Sequence, residues 1–345
     1  MRISIKSLAA AGACLAAAAC GQSVDEDSTE TLTIYSARHY DSDRAVYQAF
    51  EDQTGIQIET IEAGGDLLIE RMKADGERSG ADVVITVDAG RLWRAEQDGL
   101  FQPYDSEIIE ERVPESLRHP EGKWFGFAKR ARVIAYSQER VSPDEITGYE
   151  TLADPKWDNR VCVRSSGNIY NISLLAALIE RWGDNVAQDW AQGVVRNFAR
   201  VPSGGDIEQI RAIAAGECDL ALVNHYYYAR IANSEDAADQ EVADAVALNF
   251  PEDNGGVHVN ISGAGVAANA DNVDAAHQFL EFLLSDEAQR MFAELTNEYP
   301  VVASAPYEND VLDGFGEFEA DPVNVNTLGE NQAEAQRMFD RVGWP

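Results

Sequence analysis

Cysteine is scarce in this chain, and where it falls matters more than how much there is. Only four are present, and Cys14 and Cys20 lie within the first 20 residues, so Cys162 and Cys218 alone are left to a folded body. No Cys-x-x-Cys pair occurs, which excludes zinc-ribbon and thioredoxin-like chemistry. Histidine is nearly as sparse. His39, His119, His225, His258 and His277 are scattered, with no His-x-x-x-His spacing for zinc. A Gly-x-Ser-x-Gly nucleophile elbow is also absent. Gly64-Gly65-Asp66 and Gly204-Gly205-Asp206 have the look of phosphate loops, but the lysine and the spacing of a P-loop are missing. They read as helix starts, with Asp66 and Asp206 as caps. Positive charge is short too, at 27 Lys and Arg against 60 Asp and Glu. Such a surface repels nucleic acid and anionic lipid.

Long hydrophobic runs are missing except at the start. Arg2 and Lys6 open a basic segment, and Ser7 to Cys20 is a small, Ala-rich apolar run of 14 residues. It is too short to span a membrane and has the layout of an export signal. Leu15-Ala-Ala-Ala-Ala-Cys20-Gly21 resembles a bacterial lipoprotein processing site, with cleavage before Cys20 and acylation of its thiol. Residues 1–20 are therefore expected to be removed, and the acidic stretch 21–30 reads as a tether. Losing Arg2 and Lys6 leaves 25 basic against 60 acidic residues, a net charge of −35. The excess keeps an exported protein soluble. In an oxidising compartment Cys162 and Cys218 are expected to form a disulfide.

Some 315 residues remain, enough for two domains of ordinary size, and 45% hydrophobic content gives them an ample core. Thr31–Ser36 reads as a strand, with a helix from Asp41 or Ser42 to Gln53 closed by Gly55. Ile56–Ile61 and Ala81–Val87 read as further strands, with helices at Leu67–Lys73 and Leu92–Gly99. Strands alternating with helices predict a parallel α/β sheet. A second α/β unit follows. Arg160–Arg164, Ala199–Pro202 and Cys218–Val223 are its expected strands, and Asn171–Trp182, Ala187–Phe198 and Ile207–Ala215 its helices. His258–Ala268 returns as a strand before three C-terminal helices.

Three stretches share one placement. His39-Tyr40, Tyr170 and Tyr226-Tyr227 each follow a strand and open a helix. Ligands of open α/β sheets bind outside the carboxyl ends of strands. If the two units face each other, these residues line the cleft between them. Cys162 precedes Tyr170 by eight residues, as Cys218 precedes Tyr226, so in neighbouring parallel strands the disulfide would brace both tyrosine loops. Several phenolates with one imidazole suit a hard, highly charged cation, and tyrosinate ligates ferric iron. Four phenolates and a neutral imidazole around a 3+ ion leave −1, which Arg38, Arg130, Arg132 and Arg230 are available to offset. Helix N-termini would also favour the phenolate form.

Tyr35-Ser36-Ala37-Arg38-His39-Tyr40, Arg130-Ala131-Arg132-Val133, Arg164 through Asn171 and Asn224 through Arg230 together resemble the ferric-ion-binding periplasmic proteins. These are the solute receptors of iron ABC importers, and the similarity is to their tyrosine-rich branch. It covers about residues 31 to 345. The resemblance implies a bilobed periplasmic solute-binding protein fold of the α/β class, with two doubly wound domains, a hinge and an interdomain cleft. On it, residues 31–128 and 258–304 are expected to form the N-terminal lobe, and 129–257 and 305–345 the C-terminal lobe. By motif match His39, Tyr40, Tyr170, Tyr226 and Tyr227 would be the Fe³⁺ ligands, Arg130 and Arg230 would support them, and Tyr228 would be packing. Other branches add a glutamate and a bound anion, and no clear counterpart of that glutamate stands out.

The expectation is thus a non-enzymatic, monomeric Fe³⁺ receptor in the periplasm, tethered through Cys20 and delivering its cargo to an inner-membrane ABC permease. A receptor for another solute (a polyamine, thiamine or an oxyanion) is the alternative of the same kind. An exported metalloenzyme is the alternative of another kind.

Overall fold

A computed structural model describes residues 30–38, 40–252 and 255–345. The expected leader, Cys20, nearly all of the tether and His39 lie outside the described residues. Among the described residues no helix is long and apolar enough to cross a membrane.

Among the described residues nine strands form the framework: β1 (Thr31–Ser36), β2 (Gln57–Glu62), β3 (Val83–Val87), β4 (Phe125–Ser137), β5 (Val161–Cys162), β6 (Leu220–Asn224), β7 (Val246–Asn249), β8 (Val259–Val266) and β9 (Tyr299–Pro300). Their order is β2-β1-β3-β8-β4-β6-β5, with β7 and β9 also pairing β4. β1 runs parallel to β2 and β3, and β5 runs parallel to β6. β8 and β4 do not fit the all-parallel expectation. β8 is antiparallel to β3 and to β4, and β4 is antiparallel to β6. The reason is that each is a crossing strand entering its sheet from the other lobe, not a strand delivered by a βαβ turn.

β4 is the element that joins the halves. Its first part, Phe125–Ala131, pairs with β8, and its second, Arg132–Tyr136, pairs with β6. Two separate sets of cores result. Leu32, Ile34, Phe50, Val83, Phe127 and Phe279 belong to the first lobe. In the second lobe, alternate residues of β4 and β6 point to opposite faces. Ile134 and Leu222 pack with Leu174, Leu178 and Phe339 on one face, while Val133 and Val223 pack with Ile210 and Ile213 on the other. Helices cover both faces, as a strand buried on both sides requires.

The helices follow their apolar faces. Ile169–Trp182 buries Leu174, Leu175, Leu178 and Ile179. Asp43–Thr54 buries Val46, Tyr47 and Phe50 and is closed by Gly55 at φ 78°, the left-handed conformation glycine adopts freely. Ser42 stands at the N-terminus of that helix without a side-chain capping bond. The expected strand at Ala199–Pro202 reduces to a single bridge between Phe198 and Val161.

The Cys162–Cys218 disulfide is present, with Cα atoms 5.9 Å apart. The register behind the bracing argument is different. Cys162 lies opposite Ala221, and Cys218 sits before β6 begins. The two cysteines are therefore three residues out of step. The bond ties the entrance of β6 to β5, and does not hold the tyrosines at one height.

Neither Asp66 nor Asp206 caps its helix. The residue preceding each helix is a glycine, and Asp66 instead pairs with Arg91 and Arg94. Asp206 is wholly buried among polar partners of the second lobe. A short carboxylate inside the first turn has no access to its own helix's free N–H groups when stronger cationic donors are in reach.

Candidate metal centre

Four phenols meet where the lobes face each other. Tyr40 comes from the loop between β1 and the helix Asp43–Thr54. Tyr170 is the second residue of the helix Ile169–Trp182, and Tyr226 and Tyr227 are the second and third of the helix His225–Ala232, which starts directly from β6. The Tyr226 hydroxyl donates to the Tyr170 hydroxyl at 3.4 Å. The Tyr226 and Tyr227 rings lie 4.3 Å apart. Arg230, one helical turn on, spans the set, with its guanidinium carbon 4.6 Å from the ring centre of Tyr40, 5.1 Å from Tyr226 and 5.5 Å from Tyr227. Tyr40 from the first lobe is thus joined to the second lobe's pair through one cation.

Three more arginines surround Tyr170. Arg130, Arg132 and Arg164 stand 5.3, 5.8 and 5.6 Å from its ring centre. Arg130 is buried, and among the described residues only its Nη1 has a hydrogen-bond partner, the Ser262 hydroxyl at 3.2 Å. Its Nε and Nη2 are buried without partners. Unpaired buried donors of this kind are costly unless something anionic arrives. On the first-lobe side Arg38 lies 4.8 Å from the Tyr40 ring centre. It is itself paired with Asp43 at 2.9 Å and Glu298 at 2.7 Å.

Burial holds Tyr226 well above the ordinary phenol range, and its neighbours Tyr170, Tyr40 and Tyr227 add to that by mutual repulsion of phenolates. Tyr40 and Tyr227 are raised for the same first reason, with Glu298 opposing ionisation of Tyr40 and Tyr170 opposing that of Tyr227. Without a cation these phenols stay protonated. A trivalent ion would reverse the balance, because each phenolate then gains far more than it loses by burial.

His225, between β6 and the tyrosines, is not available as a ligand. The Ala131 N–H donates to its Nδ1 at 3.1 Å, and its Nε2 lies 2.9 Å from the Asn297 carbonyl. Burial lowers its pKa to about 4, so it is neutral. Tyr228 points away from the cluster and donates to the Ala243 carbonyl at 3.1 Å, among apolar side chains. Among the described residues no group of three His, Cys, Asp or Glu could hold a metal.

Arg164 opens one of the motifs noted in the sequence, but neither its place beside Tyr170 nor any role for Glu298 could be read there. Glu298 lies in an extended segment, and only the fold shows it wedged between Arg38 and the Ser262 hydroxyl. Asp206 was visible, in its Gly-Gly-Asp setting, but for the wrong role.

Two α/β lobes joined by crossing strands, with a donor cluster where they face each other, are the arrangement of a two-lobed binding protein. Residues 79–315 match the bacterial extracellular solute-binding proteins, and the chain belongs to that family. It is 50% identical to iron uptake protein A2 of Synechocystis over 92% of this chain and 90% of that protein. A Trichodesmium protein solved with iron and citrate ligands has a TM-score of 0.88 at 51% identity, covering 91% of this chain and 100% of the other. A ferric binding protein from Campylobacter jejuni gives 0.86 at 37% identity, covering 91% and 100%.

Proposed function

We propose that this protein is a periplasmic Fe³⁺ receptor that carries out no turnover and hands its cargo to an ABC permease. The observation that carries the reading is the convergence of Tyr40, Tyr170, Tyr226 and Tyr227 from two lobes beneath arginines. These four phenols, with His39, which precedes Tyr40 in the sequence, are the proposed ligands. Arg130 and Arg230 are the proposed supports of their phenolate charge. The family and the iron-associated relatives support the same conclusion.

The chemistry separates ferric iron from an organic cation. A cage of neutral aromatic rings binds ammonium ions well, through the ring faces. Here five arginines, Arg38, Arg130, Arg132, Arg164 and Arg230, already stand near those rings, and an organic cation would be repelled by them. A ferric ion turns the phenols into phenolates, and the same arginines then offset the surplus charge. Calcium and magnesium prefer carboxylates and carbonyls, and these do not form the cluster.

The lobes proposed are 31–128 with 258–304, and 129–257 with 305–345. The separate cores support this partition, although Val325 and Leu328 pack back onto the first lobe. We further assign acylation to Cys20, which would tether a monomeric receptor to the membrane. Labelled fatty acid incorporated in vivo and lost in Cys20→Ser would support this.

The function is tested by equilibrium competition for Fe³⁺, Fe²⁺, spermidine and thiamine on metal-free protein. Fe³⁺ is expected to bind most tightly, with Fe²⁺ weaker because less charge stabilises the phenolates. Preferential binding of either organic cation overturns the reading.

A further inference from the structure

We infer that Asp206 is a positioning residue for the metal centre, holding Tyr170 and the Tyr226–Tyr227 pair in one geometry through Arg132. The inference rests on the proposed ligand set and concerns a residue beyond it.

Asp206 opens the helix Asp206–Ala214, and its side chain is fully buried. One carboxylate oxygen accepts from Arg132 Nη1 at 2.7 Å and from the Asn224 N–H at 2.7 Å. The other accepts from Arg164 Nη1 at 3.4 Å. Asn224 is the last residue of β6, two before Tyr226, so the carboxylate grips the backbone that delivers the tyrosine pair. The grip extends to Tyr170 through the guanidinium. Arg132 Nη2 donates to Asn171 Oδ1 at 2.8 Å, and Asn171 adjoins Tyr170. Asn171 Nδ2 closes the circuit on the Arg164 and Ser165 carbonyls at 3.0 and 3.2 Å. Three helix starts, at Ile169, Asp206 and His225, are thereby fixed to one another. Arg132 also donates through Nη1 to Asn224 Oδ1 at 3.2 Å.

The arrangement needs a carboxylate and a planar fork. Arg132 reaches Asp206 and Asn171 at the same time because its two terminal nitrogens diverge in one plane, which a lysine ammonium cannot reproduce. Asp206 also sets where two cations stand. Arg132 and Arg164, which it holds, are two of the three arginines around Tyr170. Its own charge opposes ionisation of Tyr227. A residue with that cost to a ligand, kept in full burial, is explained by what it orients. Outer groups that orient metal ligands commonly change affinity by about 10- to 100-fold.

The test is a double-mutant cycle on full-length iron-loaded protein, using Asp206→Asn, Tyr170→Phe and both together. The readouts are the rate of Fe³⁺ transfer to excess EDTA and the maximum of the tyrosinate-to-iron absorption. Asp206→Asn alone is expected to speed transfer by about 10- to 100-fold and to move the absorption maximum. In the Tyr170→Phe background the same change is expected to have a clearly smaller effect, because the arm through Arg132 and Asn171 no longer ends on a ligand while the Asn224 arm to Tyr226 and Tyr227 remains. Additive effects, or an unchanged rate and spectrum in Asp206→Asn, overturn the inference. Should Asp206→Asn lose its native circular dichroism, the cycle is run with Arg132→Lys, for which the same coupling is expected and additivity again overturns it. If Tyr170→Phe by itself alters neither rate nor spectrum, the ligand set fails first, and that outcome is distinct from loss of coupling.

Discussion

The two lobes contribute to the proposed metal centre in different ways. The second lobe presents three phenols from the first turns of two helices, and those turns are locked by Asp206, Arg132 and Asn171. The first lobe presents a single phenol, Tyr40, from the loop between β1 and the helix Asp43–Thr54, beside Arg38, which is itself held by Asp43 and Glu298. One side is therefore a prebuilt platform and the other an arm. Arg230 is the group that touches both, lying against Tyr40 as well as Tyr226 and Tyr227. If these phenols are the ligands, the difference implies that most of the affinity resides on the platform.

Breaking the platform is expected to have the largest effect. Tyr226→Phe is buried, keeps its packing and loses one oxygen donor, so Fe³⁺ affinity should fall by about a thousandfold, or about 4 kcal/mol. Competition against a chelator of known strength measures it. Tyr40→Phe should cost less, about 10- to 100-fold, because three platform phenols remain. An equal or larger loss at Tyr40 would reverse the comparison. Arg230→Gln should weaken binding by about tenfold and make the loss steeper at lower pH, since a cation favouring the phenolates of both lobes is removed.

The disulfide and the buried imidazoles test stability rather than binding. Cys162→Ser with Cys218→Ser should lower stability of the metal-free protein by about 2–4 kcal/mol in denaturant melts. His225 and His258 are fully buried, with pKa values lowered by desolvation to about 4 and about 3. A lowered histidine pKa means that the unfolded chain takes up protons first. Their stabilisation is therefore complete above about pH 6.5 and is lost as pH falls toward 4, by about 3 kcal/mol for His225. Urea melts between pH 7 and 4 measure this. Tyr228→Phe should be the mildest change, about 1 kcal/mol or less for one hydrogen bond, with Fe³⁺ affinity unchanged.

Much of this was legible before any fold was known. Apolar periodicity placed most elements, because that signal is local, whereas the caps expected at Ser42, Asp66 and Asp206 do not form. Tyr170, Tyr226 and Tyr227 could be located because each follows a strand and opens a helix, and that position in an α/β sheet points to the cleft. What failed to show were relationships set by chain crossings. The antiparallel course of β8 depends on its arriving from the other lobe. The offset of Cys162 and Cys218 depends on a strand register that residue counting cannot supply. Asp206 looked like a cap because its strongest partner, Arg132, is 74 residues away in the chain. Glu298 meets Arg38 across 260 residues. Long-range pairing of buried charges leaves no periodic trace in sequence.

The most direct measurement follows the visible spectrum and proton release together while Fe³⁺ is titrated into metal-free protein at neutral pH. Burial and mutual repulsion keep Tyr226, Tyr40 and Tyr227 protonated until the cation arrives. The account predicts a tyrosinate-to-iron absorption band that saturates at one Fe³⁺ per chain, with protons released in step and the band shifted in Tyr226→Phe. Tight Fe³⁺ binding with no such band, or with a band indifferent to Tyr226→Phe, would contradict it.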